Sequence, residues 1–366
     1  MKQIYLAVAG LVISAVVPGL LVPAGAETGT DDAKKPALEE SAANNTQQIK
    51  APQKSTPAKR VKAADPFDVD LKNRAFYTKG ELKLGVEKWY GDNTYQIGYP
   101  VYDYGSLTYA DGYFPFSELE FPLDVSMFSA QYDLEIKRRW MISLGFKTDI
   151  GHSGDDMEDS DWLTPSNPDQ LDIFSTSNVT DFEAYEYDVN VKFKYLMGAS
   201  WSLDAGVGYL FQKYKYDTAL KTQYSPSGMS GVDYVWDGRT SSLKYDLFYQ
   251  IPYIQMGGAV TFAKRFTIIA SASYAPWVEG EDEDQHLLRG LVAKTELQGE
   301  SWMANLETRY QINRNWFASL EYSYKKIEAD GKSYDSYYGG LDPNDWVWLE
   351  QESTQHSGSL MVGYSY

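Results

Sequence analysis

The stretch Tyr185-Glu186-Tyr187-Asp188-Val189-Asn190-Val191-Lys192-Phe193-Lys194-Tyr195 decides how this chain folds. Apolar side chains hold every odd position and charged or amide side chains every even one. In extended backbone successive side chains point to opposite faces, so this strand has one apolar and one polar side. About ten such residues, tilted, cross the hydrocarbon layer of a bilayer. A half-buried strand of an ordinary sheet alternates in the same way. What separates the two is how much of the chain repeats the pattern.

Working outward, it recurs almost everywhere beyond Phe67. Trp316, Ala318, Leu320, Tyr322 and Tyr324 alternate with Ser319, Glu321, Ser323 and Lys325. The last residues, Leu360-Met361-Val362-Gly363-Tyr364-Ser365-Tyr366, alternate again and carry an aromatic terminus. Ten segments read as strands: 79–92, 113–135, 140–150, 182–195, 201–221, 241–261, 266–281, 298–312, 316–329 and 353–366. Short connectors (137–139, 198–200, 263–265, 313–315) alternate with long polar ones (93–112, 151–181, 222–240, 282–297, 330–352). That alternation is the plan of an outer-membrane barrel, with tight turns at one end and long loops at the other. The expected fold is therefore all-β, a ten-stranded antiparallel transmembrane β-barrel whose last strand closes on its first and leaves no edge in lipid.

Composition agrees. The chain has 30 Tyr, 10 Trp and 29 Gly, an aromatic excess that suits girdles at two membrane interfaces. A mean hydropathy of −0.44 does not argue against a barrel, whose apolar residues are only every second one. Cysteine is absent, which removes disulfides, thiol nucleophiles and thiolate metal sites. A net charge of −18 argues against nucleic acid as a partner and favours cationic ligands.

Residues 1–26 read as a secretory signal: Lys2, an apolar run from Ile4 to Val22, and the small residues Ala24-Gly25-Ala26 before the cleavage point. Residues 27–66 lack large apolar side chains and read as a disordered periplasmic tether, basic at Lys50, Lys54, Lys59, Arg60 and Lys62. Residues 67–366 then form the barrel domain.

Two acidic clusters carry the chemistry: Asp159-Ser160-Asp161-Trp162 and Asp282-Glu283-Asp284-Gln285-His286. Each sets ionisable groups at i and i+2, on one side of an extended chain. Both fall at the roots of long connectors, so both belong at the same mouth. Asp159 and Asp161 are close enough to share a proton and hold a water. Asp284 can orient His286, the general base, and a protonated carboxyl can stabilise an oxyanion. Acidic loops more often do no chemistry at all, so spacing alone leaves this open. A zinc hydrolase is not expected, because the three histidines, His152, His286 and His356, form no HExxH. A calcium site from Asp155, Asp156, Glu158, Asp159 and Asp161 lacks the EF-hand order. No Gly-x-Ser-x-Gly elbow occurs, and no metal or cofactor is expected.

The chain resembles the omptin family of outer-membrane endopeptidases over residues ~75–366. The resemblance rests on Asp159-Ser160-Asp161-Trp162 with Ser166-Asn167-Pro168, on Pro252-Tyr253-Ile254, and on Trp277-Val278-Glu279-Gly280-Glu281-Asp282-Glu283-Asp284-Gln285-His286, in that order. It implies that Asp159 and Asp161 are the catalytic couple, that Asp284 and His286 are the activating pair, and that water attacks directly without an acyl-enzyme. It implies that Asp282 belongs to a pocket for a basic P1 side chain. No convincing Glu stands at 91–96 as that pocket's second acid, Asp92 being nearest. It further implies a dependence on lipopolysaccharide. Lys213 matches one lipid-binding position, and Phe248 stands where a base is expected. The resulting expectation is a monomeric aspartic endopeptidase of the Gram-negative outer membrane, active site outward, cleaving cationic peptides or exposed protein loops. The alternatives are a non-catalytic adhesin of the same fold and, behind it, a small pore.

Overall fold

The computed structural model describes residues 78–103, 108–152, 154–337 and 340–366. The expected signal and tether lie outside the described residues. Within them there is no helix. The strands are β1 (Thr78–Asp103), β2 (Thr108–Pro122), β3 (Val125–Ile136), β4 (Trp140–His152), β5 (Asp156–Asp161), β6 (Ile173–Met197) and β7 (Trp201–Tyr224). They continue with β8 (Tyr234–Val235), β9 (Ser241–Phe262), β10 (Phe266–His286), β11 (Leu291–Gln311), β12 (Trp316–Tyr337) and β13 (Gly340–Ser365).

Thirteen strands make ten staves. The closed ring runs β1-β3-β4-β6-β7-β9-β10-β11-β12-β13 and returns to β1. β2 continues the β3 stave past a break at Leu123-Asp124, since both pair with β1, at Asp92↔Pro122 and Trp89↔Val125. β5 likewise continues the β4 stave and pairs with β2 and β6. Closure is antiparallel from Glu81↔Ser365 to Gly98↔Trp348. Gly80 and Tyr366 exchange backbone hydrogen bonds at 3.2 and 3.0 Å, so no strand edge faces lipid there.

The alternation maps onto the wall as expected. Leu82, Leu84, Val86, Val189, Val207, Leu320, Leu360 and Val362 lie on the outside, while Lys83, Glu87, Glu186 and Lys325 are buried in the lumen. Trp140, Phe193, Trp316 and Tyr364 belong to the aromatic girdle near the short turns, with Trp140 and Phe193 centred 4.9 Å apart. The lumen is crossed by ion pairs: Lys83 to Glu307 at 3.2 Å, Arg309 to Glu81 at 2.7 Å, and Lys147 to Glu87 and Glu186 at 3.0 and 3.2 Å. Each charge finds an opposite one, which is the condition for burying it.

Above these ions the lumen is filled by rings. Phe121 stacks on Tyr245 at 4.5 Å and leans on Tyr216 at 4.9 Å, and Phe182 meets Tyr216 edge-on at 4.8 Å. Tyr95 stacks on Tyr245 at 5.6 Å. This aromatic floor is the apolar core of the molecule, and the mouth lies directly over it.

One expectation needs correction. Four of the five long connectors are mostly strand: β1 runs on to Asp103, β5 and the start of β6 occupy much of 151–181, β10 and β11 leave only 287–290, and β12 and β13 take most of 330–352. The acidic clusters therefore sit within strands rather than at loop roots. The physical reason is that beyond the bilayer both faces of the sheet are wet. Outward positions there need not be apolar, so the strand outlasts its sequence pattern.

Candidate active site

β10 enters the mouth with even-numbered side chains inward. Asp282 and Asp284 are 6% and 2% exposed, and His286 ends the strand. Asp284 Oδ2 accepts two hydrogen bonds, from His286 Nε2 at 2.9 Å and from the Tyr95 hydroxyl at 2.6 Å. Tyr95 comes from β1, whose odd positions Trp89, Asn93 and Tyr95 all point inward. Its phenol joins the β1 wall to β10. Burial, and then the Asp284 charge, push its pKa far up, so it stays a neutral donor.

On the facing side, β5 places Asp159 and Asp161 inward with Met157. Asp159 is held by the Ser175 hydroxyl at 3.4 Å, and Asp161 by Ser117 on its neighbour β2. Burial, followed by the Asp161 charge, pushes Asp159 up to about 8, and burial raises Asp161 as well. Two carboxyls this close cannot both be ionised cheaply, so the couple carries one proton at neutral pH.

The pairs lie within one another's field. The Asp284 charge raises Asp159, and the Asp159 charge acts on Tyr95. Asp159 Oδ1 and Asp284 Oδ1 are both buried without a protein hydrogen-bond partner. Each pair thus keeps one acceptor unused by the protein, as holding a water's two hydrogens requires.

All four residues expected from the sequence are thus brought together. Asp282 is two residues away but set in the floor. The Tyr245 hydroxyl lies 3.2 Å from its Oδ2 and 2.9 Å from Gln351 Oε1, and Thr295 is its register partner on β11. Burial raises its pKa to about 7. Asp92, the nearest candidate for a second acid, is not in the cleft. It lies in the even, outward row of β1, accepting from Thr94 at 3.1 Å, because a single step along a strand changes face. Lys213 is also on the outer wall, paired with Asp246 at 2.9 Å beside the stacked rings of Phe211 and Phe248. Of the other histidines, His356 takes part in an outer aromatic cluster with Tyr322 and Tyr324, and His152 ends β4. No group of His, Asp and Glu suited to a metal occurs among the described residues.

Two residues escaped the sequence reading. Tyr95 lies beyond the point where the first strand's apolar alternation fades, and only extending that strand by parity would have found it. Arg289 follows His286 by three, in the turn before β11. Its Nη2 lies 2.8 Å from His286 Nδ1.

The comparisons bear on the whole arrangement. The model of the Omptin family matches residues 108–340, well over half the chain. This chain belongs to the omptin family. The plasminogen activator of Yersinia pestis is 24% identical over 199 residues, 54% of this chain and 61% of that protein. Protease 7 of Escherichia coli K12 is 29% identical over 143 residues, 38% of this chain and 44% of the relative. The chain thus spans about three fifths or less of the length of these curated omptins. The crystal structure of the outer-membrane protease OmpT from Escherichia coli superposes with a TM-score of 0.63 and 16% identity, over 79% of this chain and 97% of that one. At that identity the likeness establishes the omptin barrel as the fold.

Proposed function

We propose that the chain is a surface endopeptidase of the Gram-negative outer membrane that hydrolyses peptide bonds by direct attack of water. The observation that carries this reading is the meeting of the two acid pairs across the cleft, each with one buried carboxylate oxygen, Asp159 Oδ1 and Asp284 Oδ1, unused by the protein. A water held between them lies beside His286. Asp284 accepts the Nε2 proton and fixes the tautomer, so Nδ1 is the nitrogen that takes a proton from water. The hydroxide oxygen bonds to the scissile carbonyl carbon. The shared proton of Asp159 and Asp161 meets the developing oxyanion. The imidazolium, stabilised by Asp284, returns its proton to the leaving amine as the C–N bond breaks. Ser117 and Ser175 are engaged with the aspartate couple, and no cysteine exists, so an acyl-enzyme has no evident nucleophile.

Cationic peptides or exposed protein loops are the proposed substrates, drawn by the chain's −18 charge and by acids beside the two clusters such as Glu158 and Glu281, whereas Asp156 and Glu283 are already paired with Lys221 and Lys294 at 2.5 Å. Asp282 is proposed to act on the substrate through the floor beneath the scissile bond. Lipopolysaccharide is proposed as the lipid partner, and the molecule as a monomer. The test is cleavage of a quenched peptide library by refolded protein, with and without lipopolysaccharide, beside Asp284→Ala. Cleavage that vanishes in the variant supports the reading. A correctly folded parent that cleaves nothing under either condition rejects it and favours the adhesin.

A further inference from the structure

We infer that Arg289 is a positioning residue of this site, a displaceable cap on the basic nitrogen of His286. The inference rests on the hydrolytic reading above. A guanidinium has only donors to offer. At 2.8 Å from Nδ1, Arg289 Nη2 therefore requires a bare lone pair on that nitrogen, with the ring proton on Nε2, where Asp284 accepts it at 2.9 Å. The contact selects the neutral imidazole in one tautomer. It also occupies the very lone pair that must take a proton from water.

The surroundings fit a cap that moves. Arg289 is exposed and sits in the four-residue turn 287–290, tied by its own N–H to His286 O at 3.1 Å. Leu287 N–H bonds Ser242 O at 3.0 Å, and Gly290, at φ +64°, turns the chain back into β11. The backbone is thus fixed while the side chain is free to swing into solvent. The Arg289 charge also acts on Asp159 and Asp161, opposing the rise that burial imposes on both, so the guanidinium lies within electrostatic reach of the couple as well as on His286. A peptide entering the cleft takes that space. If it is cationic it replaces the charge beside the couple as the arginine leaves.

The expected signature is a split in the kinetics. Arg289→Ala removes a contact that substrate must otherwise break, so KM for a short cationic peptide falls about three- to tenfold, the net worth of one ordinary hydrogen bond at a solvent-exposed position. The maximal rate does not fall. Histidine-selective nitrogen NMR of the full chain in detergent supplies a second readout, since only His152, His286 and His356 contribute. The His286 Nδ1 resonance should move in Arg289→Ala and return in Arg289→Lys, while those of His152 and His356 stay and report an intact barrel. A fall in maximal rate at constant KM would mean that Arg289 remains in place through the transition state, overturning the cap. An unmoved Nδ1 resonance would show that the contact is not made, and would overturn the cap equally. If the parent cleaves nothing, the hydrolytic reading fails, whereas the NMR result still judges the Arg289–His286 contact by itself.

Discussion

At the scale of single residues, the proposed site separates groups assigned to the chemistry from groups that hold them. Asp284→Ala or His286→Ala should lower the cleavage rate at least a hundredfold, the ordinary scale of a general base, while the heat-dependent gel shift of a folded barrel persists. Tyr95→Phe keeps the stacked ring and loses the 2.6 Å hydrogen bond to Asp284. A hydrogen bond to a charged group is worth about 1.5–3 kcal/mol. Steady-state kinetics of that variant should show a maximal rate roughly ten- to a hundredfold lower with KM little changed. Asp282 gives a prediction in pH. Its pKa is raised from 3.8 to about 7 by burial, so the folded state holds a proton that the unfolded state has released. That contribution to stability is fully present below about pH 4 and fades as pH rises through about 7, to a total on the order of 4 kcal/mol. Thermal unfolding of Asp282→Asn should vary less steeply over that window and leave the variant the more stable at pH 8.

At the scale of strands, the sequence is legible wherever lipid enforces a rule and less so where it does not. The ten staves could be read because hydrocarbon demands an apolar residue at every second position, as along Tyr185 to Tyr195. Where β1 and β10 rise above the bilayer that demand ends, and the same strands read as loops. The four catalytic candidates were visible because i, i+2 spacing survives in extended chain. Their holding partners, Tyr95 on β1, Ser117 on β2 and Ser175 on β6, were hidden because they come from other staves, in registers that no local pattern encodes. The aromatic floor shows how these elements depend on one another. Phe121 sits at the end of β2 with Tyr245, Tyr216 and Tyr95 around it. Phe121→Ala would leave a void under both acid pairs, costing about 3–5 kcal/mol. Chemical denaturation should register that loss, and cleavage should weaken even though no catalytic residue has changed.

At the scale of the whole molecule, the proposed function makes charge, rather than shape, the factor that governs encounter with a cationic substrate. The chain carries −18, and acids crowd the mouth around the cleft. Raising ionic strength from about 0.01 to about 0.15 M shortens the screening length from roughly 30 to roughly 8 Å. The specificity constant for a cationic peptide should fall accordingly, through KM, while that for a neutral peptide stays level. Equal salt sensitivity of the two would exclude electrostatic capture.

Ring closure also has a meaning in time. Ser365 on β13 donates to Glu81 on β1 across 284 residues of sequence, so these staves join only after everything between them has been made. Tyr95, which steadies Asp284, belongs to the stave that waits for that partner. A half-assembled chain therefore has its acids but not their alignment. On the proposed reading, hydrolytic competence arrives only with the final seam, and until the ring closes the polypeptide is inert.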